Sequence, residues 1–208
     1  MATLLKIDSS PMGERSVSRK LTAEFAKTWT RAHPGGTVIS RDLTTLDIPV
    51  VNGGWVAAAY TPEGARTAEQ KDALAVSDLL IAELQKADEY VVGVPMHNFS
   101  VPSTLKLWID QVVRMGKTFA YSAAGREGLL TGKKATLLIA SGGVYDQGSA
   151  TEALNFVTPY LRTIFGFMGI TDINIIAAGG TQKLMTGEVD SQTFLAPSLE
   201  KVHAQASL

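Results

Sequence analysis

Short apolar runs bounded by turn residues alternate with amphipathic segments along all 208 residues, and no other feature restricts the fold as much. The runs at 3–7, 37–41, 89–94, 135–141 and 172–178 are rich in Val, Ile or Leu and end at Gly, Pro, Asp or Ser, so each reads as a strand. Val91-Val92-Gly93-Val94 and Leu137-Leu138-Ile139-Ala140 are continuously apolar rather than alternating, the pattern of strands covered on both faces. Between them, segments 16–32, 67–86, 103–115, 151–168 and 191–205 carry apolar residues at helical spacing. Thr67 and Gln70 make a capping-box signal, and the pair Ser103 and Thr104 opens another helix. Strand–helix alternation repeated about five times predicts βαβ units, a five-stranded parallel sheet and helices on both faces. The stretch 43–64 reads as the longest irregular segment; Trp55, Val56 and Tyr60 make it too apolar for a linker, and we expect it to pack on a second subunit.

Composition narrows the function. A chain that is 45% hydrophobic can bury one sizeable core, and 1–208 reads as a single domain. A net charge of −1, with no basic run, argues against nucleic acid as a partner. The absence of cysteine removes thiolate nucleophiles, disulfides and Cys-ligated metal, and fits a reducing cytoplasm. Three scattered histidines, His33, His97 and His203, give no metal-ligand spacing, so no metal is expected. Nothing resembles a signal peptide or a spanning segment, so we expect neither a membrane partner nor export.

In a doubly wound sheet, ligands sit outside the carboxyl ends of the strands, where strand order reverses. Three loops therefore belong together: Asp8 to Ser18, Pro95 to Ser103 and Ser141 to Ser149. All three combine Gly or Pro with hydroxyl-bearing side chains. The first runs from a strand through hydroxyl-rich residues into a helix N-terminus, an arrangement that cradles anions, with Ser9, Ser10, Ser16 and Ser18 as added donors. Ser16 reads either as a plain N-cap or as part of that cradle, and Arg15 and Arg19 either as solvated or as phosphate partners. In the second loop, Asn98 can donate and accept toward the polar edge of a flavin, whereas Met96 and Phe99 either contact a ring or pack on the core. Gly142-Gly143 allows close backbone approach or makes a tight turn, with Tyr145 at the ring edge. Tyr121 either flanks the pocket or belongs to a surface hairpin. A G-x-G-x-x-G fingerprint, a Walker loop and a G-x-S-x-G elbow are all missing.

Taken in order, S-S-x(5)-S-x-S from Ser9 to Ser18, P-M-H-N-F at 95–99, T-F-x-Y at 118–121, G-L-x-x-G-K-K at 128–134, the pair Gly142-Gly143 and G-F-x-G-I-T-D at 166–172 resemble the FMN-dependent NADH azoreductase and quinone reductase family. That resemblance implies a flavodoxin-like fold and bound FMN. The phosphate would lie on Ser10, Ser16, Val17 and Ser18. The isoalloxazine would lie against Pro95, Met96, His97, Asn98 and Phe99, with Ala140, Ser141, Gly142, Gly143 and Tyr145 at its far edge. Tyr121, Phe99 and Asn98 would line the substrate pocket. The family often has Tyr at the position of His97 and Arg at that of Ser141, which bears on substrate charge. The implied chemistry is two-step: NADH or NADPH reduces the flavin and leaves, then a quinone or aromatic azo compound takes the electrons, with no catalytic side chain required. The resemblance also implies a homodimer. A flavin or chromate reductase of the same fold is the nearest alternative. An electron carrier is disfavoured by the weak net charge, and a phospho-receiver by the lack of acidic neighbours around Asp8.

Overall fold

A computed structural model describes residues 1–208. Five parallel strands, β1 (Thr3–Asp8), β2 (Thr37–Asp42), β3 (Glu89–Pro95), β6 (Lys134–Ser141) and β7 (Asp172–Gly179), form one sheet in the order β2-β1-β3-β6-β7, while β4 (Phe119–Ser122) and β5 (Gly125–Gly128) make a separate hairpin. The expected architecture is therefore present, and strand order reverses between β1 and β3.

Period-two alternation explains why both faces are apolar. Leu4, Val91, Leu138 and Ile176 face α1 (Val17–Ala32) and α7 (Ser191–Ala206), packing with Leu21, Phe25, Trp29, Leu195 and Val202. Their strand neighbours Leu5, Ile7, Val92, Leu137 and Ile139 face α3 (Ala68–Lys86), α4 (Ser103–Val112) and α5 (Val157–Phe167), packing with Leu80, Leu84, Trp108, Ile109, Leu161 and Phe165. The capping box at Thr67 forms as read: its hydroxyl accepts from Gln70 N–H and Gln70 Oε1 accepts from Thr67 N–H.

Three segments differ from the sequence reading. The stretch 43–64 is not wholly irregular: α2 (Gly53–Tyr60) is capped by Asn52, whose Oδ1 accepts from Trp55 N–H at 2.9 Å, and Trp55 and Ala58 bury against Leu74 of α3. Two glycines in the first turn conceal this helix from propensity. A helix across 151–168 does not form; a short 3₁₀ turn at Glu152–Leu154 is followed by α5, with Pro159 in its first turn. The proline ring would clash with the carbonyl of Asn155 if the helix ran through. The helix expected to 115 stops at Val112, because Thr118 Oγ1 donates to Val112 O at 2.7 Å and accepts from Arg114 N–H. A single turn, α6 (Gln182–Met185), lies between β7 and α7. No helix is long and apolar enough to cross a membrane.

Candidate functional site

The loops following β1, β3 and β6 all leave the carboxyl edge of the sheet, around the point of strand reversal. The first is tied down from behind. Ser9 Oγ donates to Gly93 O at 2.7 Å, Ser9 N–H donates to the same oxygen at 3.3 Å, and Thr104 Oγ1 donates to Ser9 O at 3.1 Å. Thr104 thus does not cap its own helix, as its place in the sequence suggested, but fixes the neighbouring loop. Gly93 matters for the same reason. A Cβ there would stand 2.9 Å from Thr22 Cγ2 and 3.3 Å from Ser18 O, so α1 can approach the sheet only over a glycine.

What this bracing leaves open is an anion cradle. Ser10, Ser16 and Ser18 are all buried, the last completely. Ser16 Oγ accepts from Arg19 N–H and lies 3.2 Å from Ser18 Oγ, and Ser10 Oγ accepts from Met12 N–H. Ser10 and one of the Ser16–Ser18 pair therefore retain a hydroxyl proton with no acceptor in the chain. The N–H groups of Val17 and Ser18, at the head of α1, likewise have no protein partner. Ser16 caps α1, and the cap leaves its hydroxyl beside that of Ser18. Two amides, two hydroxyl protons and the positive end of a sixteen-residue helix suit a phosphate. Arg19 does not point there; it forms a two-pronged pair with Asp42 at 2.7 Å on each arm. That pairing raises the Arg19 pKa and lowers Asp42 from 3.8 to about 2, chiefly through the hydrogen bond between them. Arg15 is exposed.

The second loop is a two-residue hairpin. His97 and Ser100 exchange both backbone hydrogen bonds at 3.0 Å, and the residues between them, Asn98 and Phe99, have φ of 49° and 67°. Positive φ at both central positions belongs to a type I′ turn, where Gly is usual and Phe is strained. Backbone strain of this kind concentrates at ligand clamps. The amides of Asn98 and Phe99 donate to nothing in the chain. Pro95 ends β3 opposite Ala140, and Met96 N–H donates to Ala140 O at 2.7 Å, which joins this loop to the third.

In the third loop the carbonyls are consumed and the amides are not. Thr181, Gln182 and Gly180 N–H donate to Ser141, Gly142 and Gly143 O respectively, while the N–H groups of Gly142, Gly143, Val144 and Tyr145 lack protein acceptors. Ser141 is buried and its hydroxyl donates to Gly143 O at 2.9 Å, so it braces the loop instead of presenting a donor. Tyr145 lies over Gly143 and meets Phe99 edge to face at 6.0 Å. Met96, Asn98, Phe99, Gly142 and Tyr145 together line a pocket of about 190 Å³. A larger trench of about 870 Å³, sharing Tyr145, runs past Asn155 toward Arg162.

Tyr121 is not brought to these loops. It stands exposed on the β4–β5 hairpin, which joins the end of α5 through Arg126 Nη1 to Phe167 O and Leu130 N–H to Met168 O, at the amino edge of the sheet. The hairpin reading of Tyr121 holds, and its place in the pocket of its own chain does not. His97 is exposed beside the turn and has no side-chain partner. Asn155 was missed by the sequence reading. Its Nδ2 donates to Tyr145 O at 3.1 Å while the adjoining Phe156 N–H donates to Phe99 O at 3.1 Å, so this short connector latches the second and third loops together. Nothing in the local pattern marks it, because both partners are carbonyls of other loops. Gly93 had a readable signal, a glycine inside an apolar strand.

A family described as having a flavodoxin-like fold matches residues 2–204. An FMN-dependent NADH:quinone oxidoreductase of Acidobacterium capsulatum is 55% identical over 207 residues, covering 100% of both chains. FMN-dependent NADH:quinone oxidoreductase 3 of Burkholderia lata is 47% identical over 204 residues, covering 98% of this chain and 99% of that protein. Among solved structures, an azoreductase from Bacillus anthracis superposes with a TM-score of 0.88 at 29% identity, over 100% of this chain and 99% of that one. An FMN-dependent NADH-azoreductase from the same organism in complex with FMN superposes at 0.86 with 26% identity, over 100% and 98%.

Proposed function

The chain belongs to the flavodoxin-like family of FMN-dependent NADH:quinone oxidoreductases, and from that premise we propose that it uses bound FMN to reduce quinones and aromatic azo compounds with electrons from NAD(P)H. The observation that carries this reading is the cradle of unpaired donors at the head of α1, beside a strained turn and an amide-rich loop on the same edge. The donor set fits the group: Ser10, Ser16 and Ser18 with the amides of Val17 and Ser18 would hold the phosphate. Met96, Asn98, Phe99, Gly142, Gly143 and Tyr145 would hold the ring, and His97, Pro95, Ala140 and Ser141 would shape the loops that carry it.

When bound, FMN would supply two-electron chemistry that the side chains of this cysteine-free chain do not offer. The chain binds and orients. Met96, Phe99 and Tyr145 would make an apolar slot for the flat ring, and the free amides of Asn98, Phe99 and Gly143 would be hydrogen-bond donors to its polar edge. No side chain acts as a nucleophile. The donor and the acceptor use this slot in turn, which gives ping-pong kinetics. We further propose a homodimer acting in the cytoplasm. Tyr60, Val56, Met115 and Tyr121 leave large apolar groups exposed, and Tyr60 and Met115 share one crevice with Trp55 and Phe119, at the edge opposite the cradle. A second copy would cover that surface, and only across such an interface would Tyr121 reach a flavin.

The test is purification of the full chain, identification of released chromophore, and steady-state oxidation of NADH and NADPH with menadione. Yellow protein releasing FMN, with parallel double-reciprocal lines and a dimeric mass by sedimentation, is expected. Colourless protein that takes up no FMN overturns the reading.

A further inference from the structure

We propose that Arg19 is a positioning residue for the cofactor phosphate, acting by holding the Ser10 loop and the first turn of α1 in place without meeting the phosphate itself. The inference rests on the FMN reading above. Three observations carry it.

First, the guanidinium is already committed. Nε donates to Ser10 O at 2.7 Å, Nη1 and Nη2 donate to the two oxygens of Asp42 at 2.7 Å each, and Nη2 also donates to Thr44 Oγ1 at 3.1 Å. A planar fork satisfied in this way has fixed orientation as well as charge. Asp8 Oδ2 adds a second carboxylate 4.0 Å from Nη1. With its charge answered by Asp42, Arg19 offers the anion little net attraction.

Second, the same residue grips the cradle at both ends. Its side chain holds the Ser10 carbonyl, and its backbone N–H donates to Ser16 Oγ at 3.3 Å. The bond from Nε occupies a lone pair of the Ser10 carbonyl and fixes the plane of that peptide. Releasing that bond frees Ser10 to rotate into the cradle.

Third, the anchor is itself rigid. Asp42 pairs with Asp8 in the sheet, its Oδ1 accepts from Thr44 N–H at 2.9 Å and from Thr44 Oγ1 at 2.8 Å, and the next amide, Leu43 N–H, donates to Asp8 O at 2.9 Å. The end of β2 thus sets the shape of a loop that follows β1, and cofactor selectivity follows from a neutral, pre-shaped donor set.

The experiment measures Kd of the full-length apoprotein for FMN and for riboflavin, which lacks the phosphate, by quenching of flavin fluorescence at two salt concentrations. Arg19→Gln removes the fork to Asp42 and the bond to Thr44 along with the charge-assisted bond to Ser10 O; loss of the last predicts that FMN weakens by about ten- to a hundredfold while riboflavin changes by less than about twofold. Arg19→Lys keeps the cation but not the fork, and is expected to weaken FMN nearly as much as Arg19→Gln. Full retention of FMN affinity by Arg19→Lys, with a steep loss as salt rises, identifies direct charge attraction and overturns the proposal. Equal weakening of FMN and riboflavin overturns it in favour of general destabilisation, and an unchanged FMN affinity in both variants overturns it by showing that Arg19 plays no part in binding. Wild-type apoprotein that binds no FMN overturns the cofactor reading and this inference together, whereas normal wild-type uptake with an unchanged FMN-to-riboflavin ratio in the variants overturns this inference alone.

Discussion

Phe99 occupies a backbone conformation that suits glycine, with φ of 67°, and the residue is 41% exposed. A left-handed conformation costs an ordinary residue about 1–2 kcal/mol, so the position is retained at some expense to stability. Phe99→Gly is expected to change apoprotein stability by less than about 1 kcal/mol, where truncation of a buried aromatic costs about 3–5 kcal/mol. The same variant should bind FMN more weakly and turn over menadione more slowly, because the ring against Tyr145 is gone. Thermal melts read beside flavin titration check this; a large loss of stability would show that the ring is a core group and not a wall of the pocket. At this scale the N-cap role of Ser16 was legible, because a hydroxyl at a strand-to-helix junction caps the helix from within the same four residues. The orientation of Arg19 was not, since its partner Asp42 is twenty-three residues away and only the sheet register brings them together.

Elements follow the same division. Strands and amphipathic helices could be read because each carries its own period, and the capping box at Thr67 lies within four residues. Helix α2 could not, because its stability comes from Trp55 on Leu74 and from Trp55 Nε1 donating to Gln111 Oε1 at 2.9 Å, contacts with other elements. The break before α5 is a third case: Pro159 was visible, but the use made of the break was not. There Asn155 Oδ1 accepts from Thr158 N–H at 3.0 Å, steadying the first turn of α5, while Nδ2 reaches back to Tyr145 O. The two roles separate chemically. Asn155→Asp keeps the acceptor and is expected to hold stability within about 0.5 kcal/mol, yet it loses the donor to Tyr145 and should weaken FMN binding severalfold. Asn155→Ala loses both and should also cost about 1 kcal/mol of stability. Urea midpoints and flavin titrations on both variants check the separation; equal FMN affinity in wild type and Asn155→Asp would remove the latch from the site.

At the scale of the molecule, the Arg19–Asp42 pair couples the site to acid stability. Asp42 is held at about 2 against an ordinary 3.8 by its hydrogen bond from Arg19, so its contribution is complete above about pH 4 and is lost as pH falls toward 2. Glu89 runs the other way: burial beside Trp29 raises its pKa, so its contribution is largest in acid and declines as pH rises. Urea midpoints measured from pH 5 to pH 2 are expected to fall for wild type with a component that Asp42→Asn abolishes; parallel profiles in the two proteins would mean that the pair carries no linkage.

The apolar runs and their turns determined, without reference to the folded state, that this chain makes a doubly wound parallel sheet, because buried strands need continuous hydrophobicity and their crossovers need amphipathic helices. The strand-to-helix junction after β1, with its hydroxyls at the head of α1, was likewise readable, because helix N-terminal geometry is local. Only the tertiary structure decided which donors after β1 remain free, that Tyr121 lies on a hairpin away from those loops, and that the Arg19 guanidinium is taken up by Asp42 and the Ser10 carbonyl. Each of those outcomes is a choice among partners distant in the chain, and such a choice exists only once the sheet has placed them side by side.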